Sequence, residues 1–368
     1  MACRSFFFAG GGTGGHIYPA LAVAERLAEL EPKANIHFFC SYREIDANIL
    51  TKADFEYTKL PARGLSFKPV ECVRFCSSMV KSHQIAKEAI LKSVEPLVVG
   101  VGGFVAAPAC LAAYRLRIPV KLLNVDIIPG RANKVIARWA DEIFVQFEDT
   151  AKYFGKNGGK TNVLGCPLRR AFENPKPYEA FGKLGLDEDK KILLITGASS
   201  GSANINEAVC LLLERLRCFA GEWQIVHLTG VNNYEKVSQA YSTAKISCKV
   251  IPFIDDMANL LAAAELVIGR SGAVSVAEYA AVGVPSICIP YPYHKDRHQY
   301  LNAGKLVEAG AAVIVDDSTD VKGRAERLWE TLENLMRDGK KRRQMREACK
   351  KVARVDAALQ IAQRLLAI

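Results

Sequence analysis

Two doubly wound α/β domains in tandem are predicted by three observations. Short β-rich runs alternate with longer helical runs, a pattern that means parallel strands covered on both faces. The alternation stops at a polar stretch with proline and glycine at 174–190, which reads as a linker, and then restarts. The chain has 368 residues, enough for two cores of ordinary size. Each half is therefore expected to be Rossmann-like, the first over 1–168 and the second over 169–352. A helix at about 353–368 is expected to pack back on the first.

The elements follow in order. A strand at 5–9 runs into glycines, and an amphipathic helix at 19–29 is opened by Pro19. Apolar strands are expected at 36–40, 97–101, 120–124 and 142–145. The second half gives strands at 191–196, 224–229, 248–252, 266–269 and 286–289, with helices at 204–219, 257–263 and 274–281. Residues 321–366 read as two or three helices. The uncharged run 96–114 imitates a membrane span, but Pro96, Gly100, Gly102, Gly103 and Pro108 break it. A buried strand, a glycine turn and a short helix explain it better.

Composition narrows the function classes. Half of the residues are hydrophobic and 24% are charged, as in a folded protein without long disordered tracts. Basic residues outnumber acidic ones by 49 to 39, which favours anionic partners such as phosphates or an acidic membrane surface. The eleven scattered cysteines include no C-x-x-C pair and suggest a reducing cytoplasm. No secretory signal is convincing. Nucleic-acid binding is disfavoured, because no stacking platform, finger or helix-turn-helix pattern is present.

The chemistry concentrates after strand ends, where open α/β sheets bind ligands in a cleft. Gly10-Gly11-Gly12-Thr13-Gly14-Gly15-His16 lets the backbone approach a ligand, with a helix N-terminus behind it to receive an anion. It lacks the Lys-Ser/Thr of a Walker loop, and strand two ends in Cys40-Ser41 without a carboxylate for an adenosine ribose. His16 either places an imidazole base in the cleft or caps the helix. Gly269 to Glu278 repeats the strand–turn–helix theme. There Ser271, Ala273 and the following N–H groups suit a diphosphate, Arg270 suits its charge or a surface ion pair, and Glu278 suits ribose hydroxyls. His294-Lys295-Asp296-Arg297-His298-Gln299 is not a zinc motif, and Asp296 and Gln299 suit sugar hydroxyls. Gly197-Ala198-Ser199-Ser200-Gly201 fits either a second diphosphate loop or a hydrolase nucleophile elbow at Ser199, with Asp255, Asp256 and His294 following in order.

Taken together, Gly10–His16 with Tyr18-Pro19, Gly197–Gly201, Phe253–Met257, Arg270–Glu278 and His294–Gln299 resemble the MurG family, the bacterial UDP-N-acetylglucosamine transferases within glycosyltransferase family 28. The resemblance runs from the first loop to about Ala312. It implies a GT-B fold, two Rossmann-like domains facing across a cleft, and an inverting transfer. The donor would be UDP-N-acetylglucosamine and the acceptor a polyprenyl-diphosphate-linked muramyl peptide, at the cytoplasmic face of the bacterial membrane, with no cofactor or metal. By the family pattern Thr13, Gly14 and Gly15 approach the reaction centre. Arg169 and Ser199 contact the diphosphate and Ile254 meets uracil. Ala273, Val274, Ser275, Val276, Ala277 and Glu278 hold phosphate and ribose, and Gln299 holds the sugar. Where the family has His-Glu-Gln-Asn, this chain has Leu123-Asn124-Val125-Asp126, with Asn133 kept downstream. Either His16 or Asp126 is then the expected base, and an acceptor other than the muramyl lipid stays open, as does the hydrolase. For the membrane, residues 59–92 hold seven basic and two acidic side chains interleaved with apolar ones. Arg63, Leu65, Phe67, Lys68, Arg74 and Phe75 form the expected patch, which also reads as an ordinary helix covering the sheet.

Overall fold

The computed structural model describes residues 4–12, 14–64, 69–198, 201–244 and 246–367. The chain divides into two compact units, Met1–Arg169 with Val355–Ile368, and Arg170–Arg354. Unit 1 carries strands β1 (Ser5–Gly10), β2 (Asn35–Cys40), β3 (Glu56–Lys59), β4 (Pro96–Gly102), β5 (Val120–Asn124), β6 (Glu142–Val145) and β7 (Thr161–Val163). They form one parallel sheet in the order β3-β2-β1-β4-β5-β6-β7. Unit 2 carries β8 (Lys191–Thr196), β9 (Trp223–Leu228), β10 (Cys248–Ile251), β11 (Ala264–Gly269), β12 (Ser286–Cys288) and β13 (Ala312–Ile314), all parallel, in the order β10-β9-β8-β11-β12-β13.

Strand order reverses beside β1 in unit 1 and beside β8 in unit 2, and a loop that binds a ligand is expected at such a switch. Both switch strands are buried along nearly their whole length, so their residues are apolar on both faces. In unit 1, Phe7 stacks on Phe39 and Phe8 on Phe38, which pins β1 to β2. In unit 2 the helix Ala203–Leu216 lays Ile205, Val209, Leu212 and Leu216 on Leu193, Ile195 and Ile225.

The structure departs from the sequence expectations in three places. The strands β3, β7 and β13 were not expected; each is a sheet edge, three or four residues long and only partly buried, so the apolar signal of a strand is weak there. The expected linker holds the helix Pro177–Leu184, with Pro177 at its first position and Gly185 ending it in a left-handed turn. The first helix is Gly14–Leu30 and begins well before Pro19, which lies inside it. The helix Ala357–Leu366 belongs to unit 1: Arg364 pairs with Glu142 at 2.9 Å, and Arg4 donates to the Leu366 carbonyl at 2.8 Å.

Candidate functional site

In unit 1 the early start of the helix Gly14–Leu30 puts His16 in its first turn, half-buried. His16 Nδ1 lies 3.3 Å from the Gly11 carbonyl oxygen. A carbonyl only accepts, so Nδ1 carries a proton, and in the neutral ring Nε2 then holds the lone pair, the form a general base needs. A methyl group at Gly102 would lie 3.1 Å from His16 Nε2 and 3.2 Å from Asn133 Oδ1, so both atoms border the gap this glycine leaves. Asn133 is buried; its Nδ2 donates to Asn124 Oδ1 at 2.9 Å, and its Oδ1 has no hydrogen-bond partner among the described residues. Asn124 Nδ2 in turn donates to the Asp126 carbonyl at 2.7 Å. The amide at position 124 is thus occupied in holding Asn133 and its own loop. Asp126 sits half-buried on that loop.

Arg169 ends unit 1 with its guanidinium 4.9 Å from the centre of the Tyr18 ring, two residues beyond His16. Below it burial pushes the Glu25 carboxyl above its usual range, with the Arg169 charge acting against that rise. Gly14 is buried and Gly15 exposed, while Thr13 lies outside the described residues.

Sequence reading missed what holds this loop. Asp46, fully buried in the helix Glu44–Lys52, accepts from Gly12 N at 2.8 Å, Ser41 N at 3.2 Å and Ser41 Oγ at 2.6 Å, all on Oδ2. Arg43 donates to the Gly12 carbonyl. The end of β2, Cys40-Ser41, carries no carboxylate. The carboxylate comes from the next helix and is taken by the glycine loop itself.

In unit 2 the turn after β8 is tight. Ala198 and Gly201 have φ of 62° and 72°, and a Cβ at Gly201 would lie 2.2 Å from the Thr229 carbonyl oxygen. Ser202 caps the helix Ala203–Leu216, its Oγ accepting from Ile205 N at 3.4 Å. Ser199 lies outside the described residues. The helix Ala273–Val282 begins at Gly272, which supplies no side-chain cap, and Ala273, Val274 and Ser275 occupy the turn whose N–H groups find no partner within a helix. Ala273 and Val276 are buried, while Val274, Ser275, Ala277 and Glu278 are half-buried. Ile254 is half-buried in the loop before the helix Met257–Ala263.

Arg270 takes a different role from the one its position suggested. It is buried, with Nη1 2.9 Å from Asp317 Oδ2 and donating to the Ile289 and Pro290 carbonyls, while Nη2 donates to Ser202 Oγ at 2.7 Å. Burial lowers its pKa, and Asp317 opposes that. Asp317 also holds Arg324 Nε at 2.9 Å and the Asn204 amide at 3.0 Å. Arg270 therefore ties the ends of β11 and β12 to the cap of the helix after β8, and its charge is met inside the fold. Ser271 Oγ likewise donates to the Gln299 carbonyl at 2.9 Å.

Asp296 Oδ1 accepts from His298 Nδ1 at 2.8 Å, and although burial pushes its carboxyl upward, the hydrogen bonds from His298 bring it below its usual range. Gln299 Oε1 accepts the Tyr291 N–H at 2.9 Å, which leaves its amide nitrogen as the end able to reach a ligand. Asp256 is held by Lys183 at 2.7 Å and by Asn259, and His294 stacks on His298 at 4.4 Å. Among the described residues no group of three or more His, Cys, Asp or Glu is placed to hold a metal.

Two family models match this chain: the glycosyltransferase family 28 N-terminal domain over residues 6–145, and the glycosyltransferase family 28 C-terminal domain over residues 192–361. The chain belongs to glycosyltransferase family 28. As a family 28 member it has the two Rossmann-like domains of the GT-B fold, and the hydrolase reading of Ser199 is set aside. Similar relatives come from Caldanaerobacter subterraneus, 34% identical with 97% of this chain and 98% of that protein covered, and from Caldicellulosiruptor saccharolyticus, 36% identical with 97% and 96% covered. Both are named UDP-N-acetylglucosamine–N-acetylmuramyl-(pentapeptide) pyrophosphoryl-undecaprenol N-acetylglucosamine transferase. The crystal structure of Acinetobacter baumannii MurG is similar with a TM-score of 0.73 and 26% identity over the whole of both chains. A UDP-N-acetylglucosamine 2-epimerase of Neisseria meningitidis shares the fold at a TM-score of 0.70 and 14% identity, with 99% of this chain and 100% of that one covered.

Proposed function

We propose that this family 28 enzyme transfers N-acetylglucosamine from UDP-N-acetylglucosamine to the C4 hydroxyl of the muramyl sugar of a polyprenyl-diphosphate-linked acceptor, with inversion. The observation that carries this reading is 34% identity to a relative of that printed activity over 97% of the chain. The site supports it chemically. His16 Nε2, with the tautomer fixed by the Gly11 carbonyl, removes the acceptor proton as the hydroxyl oxygen attacks the sugar C1. UDP leaves with growing charge, which the uncapped start of the helix Ala273–Val282 is suited to meet; by the family pattern Ser199 and Arg169 also contact the diphosphate. Glu278 takes the ribose hydroxyls, and Gln299 Nε2 takes the sugar. Asp126 is the second candidate base. Purified enzyme should release UDP only with the lipid-linked acceptor, and His16→Ala should lower turnover by about 10²- to 10⁴-fold. Full turnover of that variant would move the base to Asp126, and UDP release with a non-muramyl acceptor alone would overturn the acceptor assignment.

The acceptor's lipid tail requires contact with a bilayer, and the helix Pro69–Leu91 supports it. Its buried stripe is Ser78, Ser82, Ala86 and Ile90, so the earlier turns leave Val70, Cys72, Val73, Arg74 and Cys76 exposed, with Phe75 half-buried and Arg63 exposed just before. Leu65, Phe67 and Lys68 lie outside the described residues. Among those described, no helix is long and apolar enough to cross a membrane. A peripheral enzyme at the cytoplasmic face, held by apolar and basic side chains on anionic lipid, fits these residues. Neutralising Arg63, Lys68 and Arg74 together should weaken binding to phosphatidylglycerol vesicles; unchanged binding refutes the patch.

A further inference from the structure

Asp46 and His16 are joined by a single peptide group. Gly12 N–H donates to Asp46 Oδ2 at 2.8 Å, and the Gly11 carbonyl, the other end of the same peptide, lies 3.3 Å from His16 Nδ1. The carboxylate is fully buried, and its second oxygen, Oδ1, has no hydrogen-bond partner among the described residues. The approach depends on Gly11, because a Cβ there would lie 2.3 Å from Asp46 Oδ2.

We propose that Asp46 is a positioning residue that acts on His16 through the Gly11–Gly12 peptide. The inference rests on the reading of His16 as the base. A charged acceptor on the N–H end of a peptide draws its proton outward and makes the carbonyl at the other end a stronger acceptor. That carbonyl then holds Nδ1–H more firmly, keeps the lone pair on Nε2 and fixes the ring plane. When the acceptor O–H bond breaks and the proton forms an Nε2–H bond, the imidazole becomes a cation. The electron pair on the hydroxyl oxygen forms the new bond to the sugar C1, and the bond from C1 to the UDP oxygen breaks. Asp46 takes no proton at any point. It stabilises the imidazolium from the far side of the peptide, the part a carboxylate plays when it bonds directly to a catalytic histidine. Ser41, through its N–H and Oγ, holds Asp46 Oδ2 in place, and Arg43 donates to the Gly12 carbonyl, which belongs to the next peptide of the loop.

Two measurements test this. In the wild-type enzyme, ¹⁵N NMR of the His16 ring should show the Nδ1–H tautomer near neutral pH; a dominant Nε2–H tautomer overturns the proposal without any variant. Asp46→Asn keeps an oxygen for Gly12 N–H but removes the charge. Its kcat should fall on the order of 10- to 100-fold, the range seen when the outer partner of a functional histidine is lost, with KM for UDP-N-acetylglucosamine little changed. The Nδ1–H signal of His16 should also weaken in this variant, because the Gly11 carbonyl has become a poorer acceptor. A purely structural role would lower the thermal midpoint without moving the tautomer, and that result overturns the proposal. If His16→Ala retains turnover, the base assignment fails separately, while the tautomer and its dependence on Asp46 still decide the relay.

Discussion

The Asp317 clamp gives the most demanding stability prediction. Among the described residues, Asp317 is the carboxylate that pairs with Arg270 and Arg324; its side chain is 0% exposed, and theirs are 9% and 2% exposed. Asp317→Ala would leave two buried guanidinium groups without their carboxylate, though both keep carbonyl acceptors, and the Asn204 amide without the acceptor it uses here. Removing one partner of a buried ion pair costs about 3–5 kcal/mol, because the remaining charge stays desolvated. With a urea slope of about 2 kcal/mol/M, the unfolding midpoint of unit 2 should fall by roughly 1.5–2.5 M. Trp223 and Trp329 report on unit 2 and Trp139 on unit 1, so fluorescence in a Trp139→Phe background isolates the transition. Asp317→Asn should lose less, since one oxygen still accepts. Where the variant remains folded, its KM for the UDP-sugar should rise, because Arg270 no longer fixes Ser202 against the ends of β11 and β12. A midpoint within 0.5 M of wild type (about 1 kcal/mol at that slope) would refute the reasoning. It would show that the clamp's desolvation cost cancels its attraction.

Other consequences can be checked as directly. His227 is buried between Tyr241 OH at 3.1 Å and Asn206 Oδ1 at 3.0 Å, and burial pulls its pKa from 6.5 down to about 3. It stays neutral in the folded chain, so its contribution is complete above pH 6.5 and is lost at about 1.4 kcal/mol per unit as pH falls toward 3. Its NMR resonance should not titrate between pH 5 and 8; a midpoint near 6.5 in the folded enzyme contradicts this. Gly201→Ala meets both a φ of 72° and the Thr229 carbonyl, so it should cost at least about 2 kcal/mol by thermal melting and weaken UDP binding. Gly272→Ala, at φ −61° with open space around its Cβ, should be near neutral in stability.

What the sequence disclosed follows from how locally each feature is encoded. The central strands were legible because a strand buried on both faces is apolar throughout, as Ser5–Gly10 and Lys191–Thr196 are. Edge strands such as Glu56–Lys59 have one side in solvent and look like loop. Glycine turns before helices were legible because a ligand's approach needs residues of that kind in unbroken succession. Asp46 and Asp317 were not. Each works on partners far along the chain, 34 residues away at Gly12 and 47 residues away at Arg270 (317 − 270), and no local pattern marks such a pairing. Arg270 shows the opposite error: it stands where a phosphate ligand would, and only its burial reveals that the fold has already used it.

The helix Ala357–Leu366 completes unit 1 after all of unit 2 has been made. Residues 170–354 are therefore an insertion within the first domain, and they form one uninterrupted stretch of chain. During synthesis the second domain has all its residues before the first has its last helix, whose Ile361 and Leu365 are fully buried. The glycine loop and His16 leave the ribosome well ahead of residues 357–366, yet the domain that carries them remains incomplete until those residues follow. Ending the chain before Ala357 should thus damage the acceptor-side chemistry rather than the nucleotide side, through residues more than 300 positions away (357 − 16 = 341).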